Sequence, residues 1–441
     1  DYDEPPALPQ GAKRLSGGRR LMALEDDAEE AMAFEVEAPT RANRRREASR
    51  GLAAANRLVG SALRIAEAWA RHLARNGDRP RAIAVMNGFA ERLPDNPLVQ
   101  AILTELNSSA PVQPMFRRSV QGAGEVFFGL GSALAREGGE QLAAIYLQLT
   151  IFLDPGHAFA YLTLADLHDQ MQRPAEAASA LDRVPAGSPL KRTAELQLAH
   201  TLDDLDRTED ALGHVRQLIA RDPNDLEAWT TLGNILRVRK RFEEAADAYG
   251  RAVALVPNPQ RRHWTLLFYH GIALERSKRW PEAEARFQQA LRLEPDQPLV
   301  LNYLGYSWVD QNQRVEEAMG MLKRAVEQRP NDGDIIDSVG WAYYRLGRYD
   351  EAVAWLERAV AQKPGDPTIN DHLGDAYWKV GRFLEARFQW RHARDARPEP
   401  EDLARIEAKL RDGLPVPAAF QTPAQAPATT PAADPPRPNG G

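Results

Sequence analysis

Cysteine is absent from all 441 residues. That absence excludes disulfides, thiolate metal sites, iron–sulfur ligation and cysteine nucleophiles. It leaves the compartment open, because an exported chain avoiding oxidation and a cytoplasmic helical chain can equally do without thiols. Long apolar runs are missing too: no stretch approaches the ~18 consecutive apolar residues that a membrane-spanning helix needs. Nor does one sign of charge dominate. With 56 Lys and Arg against 62 Asp and Glu, the net charge of −6 gives no whole-chain electrostatic case for gripping nucleic acid. The chain starts at Asp1 rather than Met, so the lack of an apolar leader carries no weight.

Catalytic and cofactor signatures are also lacking. His263 and His270 stand seven apart with no third ligand beside them, which does not make a metal site. Gly122, Gly124, Gly129 and Gly131 are too loosely spaced for a dinucleotide loop, and no strand precedes them. There is no Gly-x-Ser-x-Gly elbow. The expectation is a non-enzymatic chain with no cofactor and no metal. The run Arg44–Arg45–Arg46 reads as part of a solvated arm rather than a nucleic-acid contact.

What the sequence does contain is a period. Small residues recur at Gly131, Ala165, Ala199, Gly233, Gly271, Gly305, Gly340 and Gly374, with steps of 34, 34, 34, 38, 34, 35 and 34. A second ladder follows in the same register: Ala143, Ala177, Ala211, Ala245, Ala283, Ala318, Ala352 and Ala386. A third consists of prolines, at 155, 189, 223, 257, 295, 330, 364 and 398. Three ladders in phase mean a repeated structural unit.

Each unit reads as two helices. In residues 226–259, Trp229, Leu232, Gly233 and Leu236 share one face at helical spacing, and Ala245, Tyr249 and Ala252 share another. The small residues allow close backbone approach and Tyr249 fills the space beside them. Pro257 ends the second helix. Gly347 and Gly381 are placed to cap first helices in the left-handed conformation. The two irregular steps put extra residues in loops, near 260–263 and 311–315, where added length costs little. An earlier unit covers 63–96, with Ala70, Ala82 and Pro94 in matching positions. It is separated from the rest by a helix near 97–106 and a Ser/Pro loop.

The pattern over roughly 63–414 resembles the tetratricopeptide repeat family, most faithfully from Leu226 onward. Wording such as Leu299–Val300–Leu301–Asn302–Tyr303–Leu304–Gly305–Tyr306 is similar to bacterial cell-envelope members, including the lipoprotein adaptor of a carboxyl-terminal processing protease. The resemblance implies an all-α fold, a right-handed α-solenoid of helix–turn–helix repeats. It further implies a protein–protein interaction scaffold or adaptor that is periplasmic or envelope-associated. No cysteine is present to carry a lipid anchor, and a cytoplasmic location stays open. A non-catalytic activating subunit of an enzyme, or a self-associating structural protein, is the alternative role.

The expected organisation is a mostly disordered charged arm (1–50), N-terminal helices with one repeat (51–107), and a linker (108–123). Eight repeats (124–400), a capping helix (401–414) and a disordered Pro/Ala-rich tail (415–441) follow. In the family, first helices line a concave groove. Carrying its groove positions over gives Asn302, Tyr306 and Asp310, then Asp337, Trp341, Tyr344 and Arg345, then Asp371, Asp375, Trp378 and Lys379. These imply a groove for a protein or peptide segment, with aromatic contact area and amide or carboxylate bonds to an extended backbone. The alternative is that the aromatics only pack against neighbouring helices. Three aspartates against Arg345 and Lys379 disfavour a clamp for a terminal carboxylate and favour a neutral or basic, partly apolar partner. Trp308, Trp355 and Trp390 are expected in the core.

Overall fold

The computed structural model describes residues 63–93 and 96–415, and every regular element in them is helical. The arm at 1–50, Pro94 and the tail beyond 415 lie outside the described residues. The chain divides into two compact units, one ending at Arg286 and one beginning at Phe287.

In the first unit, α1 (residues 63–75) precedes α2 (Arg79–Ala90) and α3 (Pro97–Asn107). Then come α4 (Ser119–Arg136), α5 (Glu140–Leu153), α6 (Ala158–Gln170), α7 (Pro174–Asp182), α8 (Lys191–Asp204) and α9 (Thr208–Arg221). They are followed by α10 (Leu226–Val238), α11 (Phe242–Ala254), α12 (Trp264–Arg276) and α13 (Trp280–Leu293), the last of which runs through the division at Arg286. The second unit continues with α14 (Pro298–Asp310), α15 (Val315–Gln328), α16 (Gly333–Arg345), α17 (Tyr349–Gln362), α18 (Pro367–Lys379), α19 (Phe383–Asp395) and α20 (Pro400–Asp412). From α4 to α12 and from α14 to α20 each helix packs on the next, so that hairpin stacks on hairpin, and α2 packs on α3.

The ladders explain why. All eight alanines of the second ladder are buried, at the points where the two helices of a hairpin meet. A Cβ on Gly233 would sit 2.6 Å from the buried Tyr249 ring, and one on Gly374 would sit 2.5 Å from Trp390. Close approach, not chain flexibility, is what demands glycine there. The prolines fall outside the helices. Gly347 and Gly381 have φ of +74° and +82°, as expected of left-handed caps. The same turn elsewhere is made by Gln172, Asp206, Lys240, Lys278 and Asn312, all left-handed without being glycine.

The irregular steps are absorbed locally. The longer one forms a 3₁₀ turn, Arg261–His263, ahead of α12. The single extra residue leaves two left-handed positions, Asn312 and Arg314, in one turn. The helix expected near 97–106 is α3. The expected linker is shorter than 108–123, because α4 already begins at Ser119. At the other end, the capping helix is α20, packed on α19. Trp308 and Trp390 are core residues as expected, whereas Trp355 is half-buried with the Arg358 guanidinium 4.3 Å from its ring centre.

Candidate functional site

The first helices α14, α16 and α18 are neighbours in the second unit, and they carry all the residues singled out by position. Each starts in a defined way. The side chains of Gln297, Asp332 and Asp366 accept hydrogen bonds from the first turns of α14, α16 and α18, and α14 and α18 open on proline. These caps satisfy first-turn N–H groups and set where each helix begins.

On α16, Trp341 lies between two rings. It stacks on Tyr344 at 4.7 Å and on His372 of α18 at 4.0 Å, both nearly parallel. Tyr349 meets Tyr344 edge-on at 5.4 Å. His372 Nδ1 is 3.0 Å from both carboxylate oxygens of Asp337, and both residues are buried. Burial by itself would drive that ring neutral. Asp337 at hydrogen-bond distance, with Asp371 and Asp375 nearby, instead raises its pKa above the ordinary histidine value.

On α18, Asp371 and Asp375 are buried and face Lys409 of α20, whose Nζ donates to both carboxylates at 2.7–2.8 Å. Trp390 Nε1 donates to Asp375 at 2.9 Å. Burial pushes the Asp375 carboxyl up, with Lys409 opposing and Asp371 adding to the shift. Trp378, expected on an open surface, is only 6% exposed. It packs on Trp390 and Phe383, and Gly413, just past α20, lies so close that a Cβ there would be 2.4 Å from the indole. Arg345 is paired with the Asp310 carboxylate at 2.9 Å and with its carbonyl. Lys379 is half-buried.

Asn302 and Tyr306 are half-buried on α14. The Tyr306 hydroxyl is raised above its usual pKa, first by burial and then by the charges of Asp337 and Asp310; the Tyr344 hydroxyl is raised by burial and then by Asp375, Tyr349 and Asp371. Asn302 Oδ1, Trp341 Nε1 and Trp378 Nε1 are buried polar atoms with no hydrogen-bond partner.

The structure therefore brings the predicted residues onto three adjoining helices but changes their chemistry. The aspartates thought to face an incoming partner are matched from within the chain, by His372 and Lys409. Position alone missed these two bases. The signal was available, since Lys409 stands 34 and 38 residues after the two aspartates and His372 stands 35 after Asp337.

Residues 196–259 and 270–333 match the family model described as tetratricopeptide repeat, and 340–381 match a second described as TPR repeat. Among curated proteins, a TPR repeat-containing protein of Pseudomonas aeruginosa is 32% identical over 83 residues, covering 19% of this chain and 14% of that one. Tetratricopeptide repeat protein 13 of Homo sapiens is 28% identical over 144 residues, covering 32% of this chain and 16% of that one. The chain thus spans about one-sixth or less of the length of these relatives. A solved tetratricopeptide repeat protein from Parabacteroides merdae aligns at 13% identity and a TM-score of 0.44, over 66% of this chain and 98% of that one. The MamA protein aligns at 18% and 0.34, over 40% and 93%. With the ladders, the hairpins and the matched stretches together, residues 196–259, 270–333 and 340–381 are tetratricopeptide repeats, which support a protein–protein interaction scaffold.

Proposed function

We propose that the second unit binds an extended peptide segment of a partner protein along α14, α16 and α18, and that the chain acts as a non-catalytic adaptor. The observation that carries this reading is the pair of unpartnered polar atoms on α14 and α16, an acceptor at Asn302 and a donor at Trp341. An unmade bond from such a group costs about 1–3 kcal/mol, so a backbone that satisfied it would recover that energy on binding. The stacked Trp341–Tyr344 pair adds rigid contact area at low entropic cost.

Charge narrows the partner. Asp337, Asp371, Asp375 and Asp310 are answered by His372, Lys409 and Arg345, which leaves little field of either sign. A neutral, partly apolar segment suits this surface better than an acidic or strongly basic one, and a clamp for a terminal carboxylate lacks the bases it needs. An envelope-associated location belongs to the same proposal and rests on the sequence resemblance.

Selection of displayed random peptides on the full chain tests the reading, with a Trp341→Ala/Tyr306→Ala variant that melts like the parent as counter-target. Neutral segments with regularly spaced apolar residues should be enriched on the parent alone. No enrichment, or equal enrichment on the variant, would sink it.

A further inference from the structure

The first hairpin of the eight-repeat stretch differs from the others in two places. In later repeats, the third and seventh positions of the first helix are buried, as at Ala160/Leu164, Ala228/Leu232 and Ile335/Val339. In α4 the equivalent pair is Val126 and Leu130, apolar as before but 64% and 46% exposed. The preceding helices α2 and α3 pack on each other, and the upstream contact with α4 comes at its N-terminal end, where Arg64 pairs with Glu125 at 2.6 Å.

The second difference is on α5. Its outward positions Leu142, Ile145, Leu149 and Phe152 are all exposed, Phe152 to 80%. The same positions in α11 are Glu244, Asp247, Arg251 and Ala254, and in α17 they are Glu351, Ala354, Arg358 and Ala361. In those two helices the face carries charged residues and alanine; in α5 it carries four large apolar side chains. The rings of Phe127 and Tyr146 stack between the two helices, 5.8 Å apart.

We propose that this face is where two copies of the chain meet, α5 against α5 across a two-fold axis. The spacing of 3, 4 and 3 residues is that of a helix-pairing seam, so the fitting partner is another helix with apolar residues at the same intervals. A two-fold axis supplies one. Like chains also bring like charges, and α5 meets that condition: Glu140, at its first position, is its only charged residue, and Gln141 and Gln148 flank the seam. A lipid surface would call for basic residues beside the stripe, and α5 has none. Six exposed side chains offer on the order of 500 Å² per copy, comparable with the largest patches of ordinary monomers. Two copies would bury about 1,000 Å², enough for a specific but reversible dimer.

The absence of cysteine gives a direct test. Gln148→Cys places one thiol at the edge of the seam, midway along α5, and Arg358→Cys places one at an outward position of α17. Mild oxidation should link Gln148→Cys chains into covalent dimers within minutes and leave Arg358→Cys chains at least tenfold less linked. Sedimentation equilibrium of the parent should show a species at twice the 49.1 kDa chain mass. An Ile145→Asp/Leu149→Asp variant with unchanged helicity and melting should remain monomeric at tenfold higher concentration. A parent that stays monomeric up to ~100 µM, or a dimer that the double variant forms equally well, would overturn the proposal. A monomeric parent whose seam is shielded from thiol reagents would assign the face to the chain's own N-terminal residues instead.

Discussion

Lys409 Nζ sits 2.7 Å from Asp371 Oδ2, although 38 residues separate the two, and the same ammonium reaches Asp375. One residue of the capping helix thus bonds two buried carboxylates of the last repeat's first helix. Solenoid ends need covering because each repeat leaves an apolar face for the next. Here the cover is also electrostatic, and it closes the end of the surface that sequence position alone left open.

Removing that ammonium should therefore cost more than a surface ion pair. Lys409→Met leaves two carboxylates buried and unmatched, a change worth about 3 kcal/mol. Urea unfolding followed by tryptophan emission should show the second unit losing its midpoint first, since Trp378 and Trp390 lie beside the cluster. An unchanged midpoint would mean that Lys409 contributes no more than an exposed pair.

Close helix approach predicts opposite signs for two glycines. Gly233→Ala forces a methyl against Tyr249, whose ring is buried and whose hydroxyl bonds to Asn234 at 2.6 Å, and should destabilise by about 1–3 kcal/mol. Gly213→Ala, inside α9 with nothing near its Cβ, should stabilise by about 0.5–1 kcal/mol. Thermal melts of the two single variants side by side decide it.

The two units should respond oppositely to pH. Burial lowers His270 to about 4, so its stabilising neutral form is fully present above the unfolded value near 6.5 and is lost as pH falls through about 4. At full titration this amounts to about 3 kcal/mol. His372 is raised by Asp337, so its contribution is fully present below about 6.5 and is lost as pH climbs through the raised value. Hydrogen exchange resolved by segment should show α12 loosening in acid and α18 loosening in mild base. His270→Leu should flatten the first response alone and Asp337→Asn the second.

Much of the fold was legible because the repeat sets a separate local demand at each rung. Gly233 and Gly374 stand where a methyl would strike a ring, the ladder alanines where helices meet, the prolines where helices stop. The site was legible only as a set of positions. Trp378 has the spacing of a groove residue, but its exposure depends on where Gly413 and α20 fold back, and helical periodicity carries no such information. Trp355 has a core position and yet is only half-buried. The left-handed turns at Lys240 and Lys278 were hidden for another reason: the hairpin imposes that conformation on whichever residue occupies the position, so no glycine announces it.

The measurement that bears most directly on the adaptor reading is the dissociation constant of a selected segment for the parent and for an Asn302→Ala/Trp341→Ala variant of equal melting temperature. A loss of tenfold or more, corresponding to about 1.4 kcal/mol or more, is expected from removing one unpartnered acceptor and the stacked donor. Equal affinities would contradict binding along α14 and α16 and turn those aromatics into packing alone.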